Sequence, residues 1–142
     1  MVADVIESIK FPVICLQDKF LRIRLDMDSL ITTTKAGLKN NYFSNLLIVD
    51  SNLCAFRIKS AKKLYGVGPF WGYNIFLNQK IKVELQFEGT PKKIPLNEIK
   101  QRILGCLEKG PAWSSVDNLN EIKSKIEHAV SYDEIIELLK HI

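Results

Sequence analysis

The chain has 142 residues, of which 46% are hydrophobic and 25% are charged, and its formal net charge is +4 at pH 7. This length suits one domain of ordinary size, and the composition excludes the class of disordered chains with low hydrophobicity and high charge. No apolar run approaches the ~20 residues that a membrane-spanning helix requires. The sequence therefore predicts a single folded domain over residues 1–142 with no membrane partner.

The first residues and the cysteines favour a cytoplasmic location. Asp4 and Glu7 stand where a signal peptide would carry positive charge. The cysteines are odd in number and far apart, at Cys15, Cys54 and Cys106, and each has apolar neighbours. This usage is typical of reduced thiols in a protein core and not of a disulfide framework.

Two β-hairpins are predicted in the first part of the chain. Residues 9–16 and 20–25 are β-rich runs joined by a short polar connection, and Pro12 suggests that the first run is an edge strand. Residues 46–49 and 53–59 form a second pair of runs. The Asp and Asn between them supply the local hydrogen bonds of a turn.

The remaining elements predict a strand followed by helices. Residues 29–41 have near-helical spacing of apolar side chains and predict a short helix, whereas residues 81–87 alternate as a strand with one buried face. Pro95, Asp117 and Ser131 are each placed to begin a helix. We therefore expect an α+β fold, with an antiparallel sheet of about five strands covered on one face by C-terminal helices.

The predicted core combines one face of the sheet with the apolar stripes of the helices. Its expected members are Cys54, Phe56, Ile58, Val83, Leu85, Ile99, Ile103, Ile122 and Leu138.

No pattern in the sequence predicts catalysis, a cofactor or a metal. His128 and His141 lie on predicted helices, and no two cysteines have the two-residue spacing of a zinc site. Gly66 and Gly68 lack the third glycine of a dinucleotide-binding loop, because Trp71 stands at that position. The expectation is a non-enzymatic protein without cofactor or metal.

A basic sheet face is one candidate binding surface. If residues 21, 23 and 25 face the core, alternation in the strands gives the opposite face six cations. These cations are Arg22, Arg24, Arg57, Lys59, Lys80 and Lys82. Phe20 would lie among them, and an aromatic ring amid basic residues is typical of sheets that bind single-stranded nucleic acid. Such binding would use Arg22, Arg24, Lys59 and Lys82, although antiparallel sheets also keep a charged solvent face without any ligand.

The charge distribution is also uneven. Residues 57–103 contain ten Lys or Arg against three Glu, whereas residues 117–142 contain three Lys against six Asp or Glu. The middle of the chain is thus basic and the tail acidic, a split that would steer an acidic partner toward one side.

Residues 65–73 are a second candidate, with four aromatic residues, three glycines and a proline in nine positions. Large aromatics on a turn-rich segment serve as anchors for a protein partner, because they bury much area at little entropic cost. Trp71 and Tyr73 are the first candidates for partner binding, followed by Arg57 and Lys62. The alternative is that the aromatic rings fill the gap between the sheet and the helices.

Three short segments carry a family resemblance. KSAKK at 59–63, GPFWGY at 68–73 and IKVEL at 81–85 resemble segments of small bacterial proteins, some of which are immunity proteins of contact-dependent growth-inhibition and related toxin systems. The resemblance implies a cytoplasmic protein that neutralises a cognate toxin domain by binding it. Nucleic-acid binding by the basic sheet face is the alternative function.

Overall fold

The computed structural model describes residues 7–17, 20–34, 38, 43–67, 80–109 and 118–140. Strands β1 (Val13–Gln17) and β2 (Phe20–Arg24) pair in antiparallel fashion, as do β4 (Leu46–Val49) and β5 (Cys54–Val67). Both predicted hairpins are confirmed. Both hairpins can be recognised from the local sequence, because short runs of β-branched and aromatic residues are separated by polar turn residues.

The segment predicted as a helix over residues 29–41 forms a different structure. A short helix, α1 (Met27–Leu30), begins after its cap Asp26, and Thr32–Thr34 then form strand β3. Three consecutive β-branched side chains lose rotamer freedom in a helix and fit a pleated strand well, which explains the change. Apart from Leu38, the rest of the predicted helix lies outside the described residues.

Seven strands of the described residues form one antiparallel sheet in the order β2-β1-β4-β5-β6-β3, with β6 spanning Lys80–Phe87. The seventh strand, β7 (Lys92–Lys93), pairs with β5. The sheet is therefore larger than the five strands expected, because the short strands β3 and β7 carry no clear strand pattern. It is curled, with β2 and β3 at the two ends of the order.

The expectation that the first strand is an edge is wrong. β1 lies between β2 and β4. Pro12 precedes Val13, the first residue of the strand, so its missing N–H removes no hydrogen bond from the ladder.

Three helices follow the sheet, α2 (Leu96–Lys109), α3 (Leu119–His128) and α4 (Tyr132–Leu139). Helix α2 begins directly after Pro95, and the Ser131 hydroxyl accepts the Glu134 N–H at the start of α4, as the sequence predicts. Helix α3 begins after Asn118, and the predicted cap Asp117 lies outside the described residues. No helix in the described ranges is long and apolar enough to cross a membrane.

Apolar side chains are buried on both faces of the sheet. One cluster packs sheet residues such as Ile14 and Val49 against Ile103 and Ile135 of the helices, and we call this the helix side. The other face buries a second cluster that includes Val13, Cys15, Leu30, Phe43, Phe56, Ile58, Val83 and Leu85. The α+β fold with helices on one sheet face is thus confirmed.

Most of the predicted core is buried. The fully buried members are Phe56, Ile58, Val83, Leu85, Ile99 and Ile103. Cys54, Ile122 and Leu138 are only partly buried and pack at the margins of the two clusters.

Candidate functional site

The strand register places Arg22 and Arg24 on the face of the sheet opposite the helices. Arg22 is paired with Cys15 and Arg24 with Val13, and both of these partners belong to the second cluster. Leu25, expected on a core face, is 61% exposed. Both faces of the neighbouring strand β1 are buried. The alternation of polar and apolar residues in β2 therefore does not show on which face of the sheet its arginines lie.

Arg57 lies on the other face, where it is paired with Leu47 of the helix side. It is half-buried and lines a cleft of about 450 Å³ together with Lys92, Lys93 and Glu98. The expectation that six cations share one sheet face is therefore wrong, since Arg57 and the two β2 arginines lie on opposite sides of the sheet.

Lys82 is not an available cation. Its side chain is only 11% exposed, and its ammonium forms an ion pair with the carboxylate of Asp28 and donates to Thr32 Oγ1 at 2.5 Å. This position argues against the predicted role of Lys82 as a nucleic-acid contact. Lys59 is exposed, at an irregularity in the pairing of β5 with β6.

The two end strands of the sheet line one open cleft of about 550 Å³, which we call the β2–β3 cleft. Phe20, Arg22 and Arg24 of β2 form one wall, and Thr32–Thr34 of β3 lie on the other with Lys80 of β6. The sequence predicts the two arginines as binding residues but not the cleft, because its pattern places the residues of β3 within a helix.

Arg22 and Phe20 form a cation–π contact within the β2–β3 cleft. The guanidinium carbon of Arg22 lies 5.2 Å from the centre of the Phe20 ring, within the range in which a ring face attracts a cation. Phe20, Arg22 and Arg24 occupy alternate positions of β2, so their side chains lie on one face about 6.6 Å apart. Arg22 is exposed and Arg24 half-buried.

The α1 end of the cleft is fixed by its own hydrogen bonds. The Ser29 N–H donates to Asp26 Oδ1 at 2.7 Å, and Thr32 Oγ1 donates to the Asp28 carbonyl at 2.5 Å. The hydrogen bond from the Ser29 backbone is the main cause that lowers the pKa of the Asp26 carboxyl below its usual range. Asp28 contributes a carboxylate to the lining, and Lys82 neutralises it.

Two buried thiol groups, those of Cys15 and Cys106, lie near the cleft. Burial raises the pKa of Cys15 to about 12, and the nearby charge of Arg24 offsets only part of this effect. Cys106 is buried on the helix side, and its Sγ lies 3.7 Å from the Phe20 carbonyl oxygen. Because a cysteine nucleophile reacts as the thiolate, burial disfavours reaction at Cys15.

The guanidinium groups of Arg22 and Arg24 and the ammonium of Lys80 make the lining of the cleft suitable for anions. Within the described residues, no group of three or more His, Cys, Asp or Glu is placed to hold a metal ion.

Among the described residues, the predicted partner-binding residue Lys62 does not line this cleft. Lys62 is exposed on β5 and paired with Glu84 of β6. Trp71 and Tyr73 lie outside the described residues, so their role stays a prediction.

Comparisons with known proteins gave no match: no protein-family model, curated protein or solved structure matches this chain. The candidate site therefore rests on the geometry of the β2–β3 cleft.

Proposed function

We propose that this chain is a non-enzymatic protein-binding domain, and most specifically a cytoplasmic immunity protein that neutralises a cognate bacterial toxin by direct binding. The β2–β3 cleft is the observation that supports this proposal, because it presents the cations of Arg22 and Arg24 beside the aromatic ring of Phe20. Inhibition by direct binding requires affinity and no catalysis. The resemblance to immunity proteins of contact-dependent growth-inhibition systems gives the proposal its specific form.

The divided distribution of the cations favours a protein partner over nucleic acid. Single-stranded nucleic acid is held by a positively charged groove that follows its backbone. Here Arg57 lies on the opposite side of the sheet from Arg22, and Lys82 is engaged by Asp28. A short cleft suits a few acidic side chains of a protein better than a continuous phosphate backbone.

A gel-shift titration with single-stranded RNA and DNA at low salt separates the two functions. The protein-binding proposal predicts no complex at micromolar protein concentration. A complex whose affinity falls steeply with salt, and that weakens in the Arg22→Glu variant, would instead establish nucleic-acid binding.

The high affinity expected of an immunity protein should come mostly from a few anchor residues. A protein that silences a lethal partner needs a dissociation constant of about 1 nM or lower, which is ~12 kcal/mol of binding free energy. A few Trp, Tyr and Arg side chains usually supply most of this energy. We therefore group Arg22 and Arg24 with Trp71 and Tyr73 as candidate anchors, ahead of the half-buried Arg57.

Co-expression with a candidate toxin domain, taken from a neighbouring reading frame that encodes a large secreted protein, tests the proposed function. Cells that produce the toxin domain should survive when this protein is present and die when it is absent. A Trp71→Ala, Tyr73→Ala double variant tests the aromatic segment in the same assay, with circular dichroism to establish that it folds. Death of cells that contain the folded wild-type protein would contradict the immunity function.

A further inference from the structure

We propose that the β2–β3 cleft receives one extended, acidic segment of the protein partner, which adds to the sheet as a strand antiparallel to β2. Its carboxylates would face Arg22 and Arg24. This inference rests on the proposed protein-binding function and specifies the chemistry of the partner segment.

The position of β2 and β3 in the sheet supports strand addition. Within the described residues, β2 has β1 as its single neighbouring strand and β3 has β6. End strands present backbone N–H and C=O groups to an incoming strand, and extended peptides bind to such edges through main-chain hydrogen bonds. The Phe20 carbonyl already accepts the Cys106 thiol, so the added strand would pair with the part of β2 that follows Phe20. The cleft lies between these two strands, so one segment inserted there contacts both ends of the curled sheet.

The direction of the added strand follows from the pairing. Five antiparallel pairings separate β2 from β3 along the sheet order, so the two end strands run in opposite directions. A strand between them is antiparallel to one and parallel to the other. Antiparallel pairing with the longer strand, β2, is slightly more stable per residue.

The side chains of β2 specify the sequence pattern of the segment. Opposite residues in an antiparallel pair have Cβ atoms about 4.5–5.5 Å apart, and opposite charges at such positions stabilise the pair. An antiparallel segment meets Arg24 first, then Arg22 and then Phe20. The matching pattern is therefore two acidic residues at alternate positions, followed at the next alternate position by a β-branched or aromatic residue.

The charges around the cleft favour an acidic segment. Arg22, Arg24 and Lys80 line it, whereas the carboxylate of Asp28 is already paired with Lys82. A basic segment would be repelled by these cations.

A synthetic peptide tests the inference without the whole partner. The probe is a blocked peptide of about eight residues, the length of an ordinary strand, that contains Glu-Thr-Glu-Thr-Val. Amide chemical shifts of the isotope-labelled protein should change mainly in residues 20–24 and 32–34, and amide exchange in β2 should slow. Replacement of both glutamates by glutamine should weaken binding roughly tenfold. Absence of shifts at millimolar peptide, or binding that leaves amide exchange in β2 unchanged, would overturn strand addition.

A matched pair of charge reversals locates the binding site. Arg22→Glu with Arg24→Glu should abolish the shifts, whereas Lys92→Glu with Lys93→Glu makes the same change in net charge on exposed residues of β7 and should preserve them. Should the first variant fold poorly, Arg22→Gln with Arg24→Gln replaces it and should weaken binding about tenfold. Equal binding by both variants would overturn the assignment to the cleft.

The outcomes separate this inference from the proposed function. If the protein neutralises the toxin domain but does not bind the peptide, the strand-addition inference fails alone. If the peptide binds in the cleft but the toxin domain stays active, the immunity function fails and the cleft serves a different protein partner.

Discussion

The ammonium of Lys82 on β6 is paired with the carboxylate of Asp28 on α1, 54 positions away in the chain. The two side chains differ greatly in exposure, with Lys82 at 11% and Asp28 at 81%. The Lys82 ammonium also donates to Thr32 Oγ1 at 2.5 Å and to the Asp28 carbonyl oxygen at 3.4 Å. The pair thereby joins α1 to β6, and the hydrogen bond to Thr32 links both elements to β3 beside the β2–β3 cleft.

Because Lys82 is nearly buried and Asp28 is exposed, removing each partner should change the free energy of unfolding by a different amount. Asp28→Ala leaves a nearly buried ammonium with neutral partners only and should lower the free energy of unfolding by ~1–3 kcal/mol. Lys82→Met leaves an exposed carboxylate in water and should cost less than ~1 kcal/mol. Urea denaturation of both single variants and the double variant measures this. If Asp28→Ala costs the same in the Lys82→Met background, the two residues are not coupled in solution.

Leu85 tests the second core cluster. Its side chain is fully buried in β6, so Leu85→Ala should cost ~2–5 kcal/mol of unfolding free energy through lost burial and a cavity. Leu64 on β5 is 53% exposed and provides the control, because Leu64→Ala should cost less than ~0.5 kcal/mol. Comparable losses in urea denaturation would show that the register of β5 and β6 is wrong.

The three cysteines should differ in thiol reactivity because they differ in exposure. Cys54 is partly exposed, whereas Cys15 and Cys106 are buried free thiols. A thiol reagent such as dithionitrobenzoate should label Cys54 readily in the native protein and the other two only after unfolding. The Cys54→Ala variant should lose the fast phase. Fast labelling of Cys15 would contradict its position in the core.

Cys15 also predicts a loss of stability in alkali. The thiol has an ordinary pKa of 9.0 and a folded-state pKa of about 12, so above pH 9 the unfolded chain releases a proton that the folded protein retains. The stabilisation is fully present below pH 9 and is lost as the pH rises toward 12. Between about pH 8 and about pH 10.5 the wild type should lose ~2 kcal/mol more than Cys15→Ala. Urea denaturation at the two pH values measures this difference, and equal losses would contradict it.

Tyr132 connects α4 to the sheet. Its hydroxyl lies 2.9 Å from the Val49 carbonyl oxygen and 2.8 Å from that of Pro12. Tyr132→Phe removes the donor from buried acceptors and should cost ~1–3 kcal/mol in urea denaturation. Tyr65, which is 58% exposed, gives the matched control, because Tyr65→Phe should be nearly neutral. A neutral Tyr132→Phe variant would show that the hydroxyl is solvated.

Local signals in the sequence identified most of the elements. Asp50 predicts a turn, and its carboxylate indeed accepts the backbone N–H groups of Asn52 and Cys54 at 3.0 Å. Ser131 predicts the start of α4 through the same kind of side-chain cap. These signals are visible because the donors and the acceptor lie within a few residues of each other.

Contacts between distant segments were not visible in the sequence. Residues 13–16 are buried consecutively, so their pattern is compatible with either orientation of the β2 arginines. The burial of Lys82 depends on Asp28, and the β2–β3 cleft depends on the curl of the whole sheet. The candidate site could therefore be predicted only as individual residues, since topology brings them together.

Protection of toxin-producing cells by the two matched charge-reversal variants tests the central claim most directly. If the β2–β3 cleft binds the toxin domain, Arg22→Glu with Arg24→Glu should lose protection, and Lys92→Glu with Lys93→Glu should protect as well as the wild type. Circular dichroism and expression level establish that both variants are folded and equally abundant. Full protection by the folded Arg22→Glu, Arg24→Glu protein would contradict the claim that this cleft is the binding site.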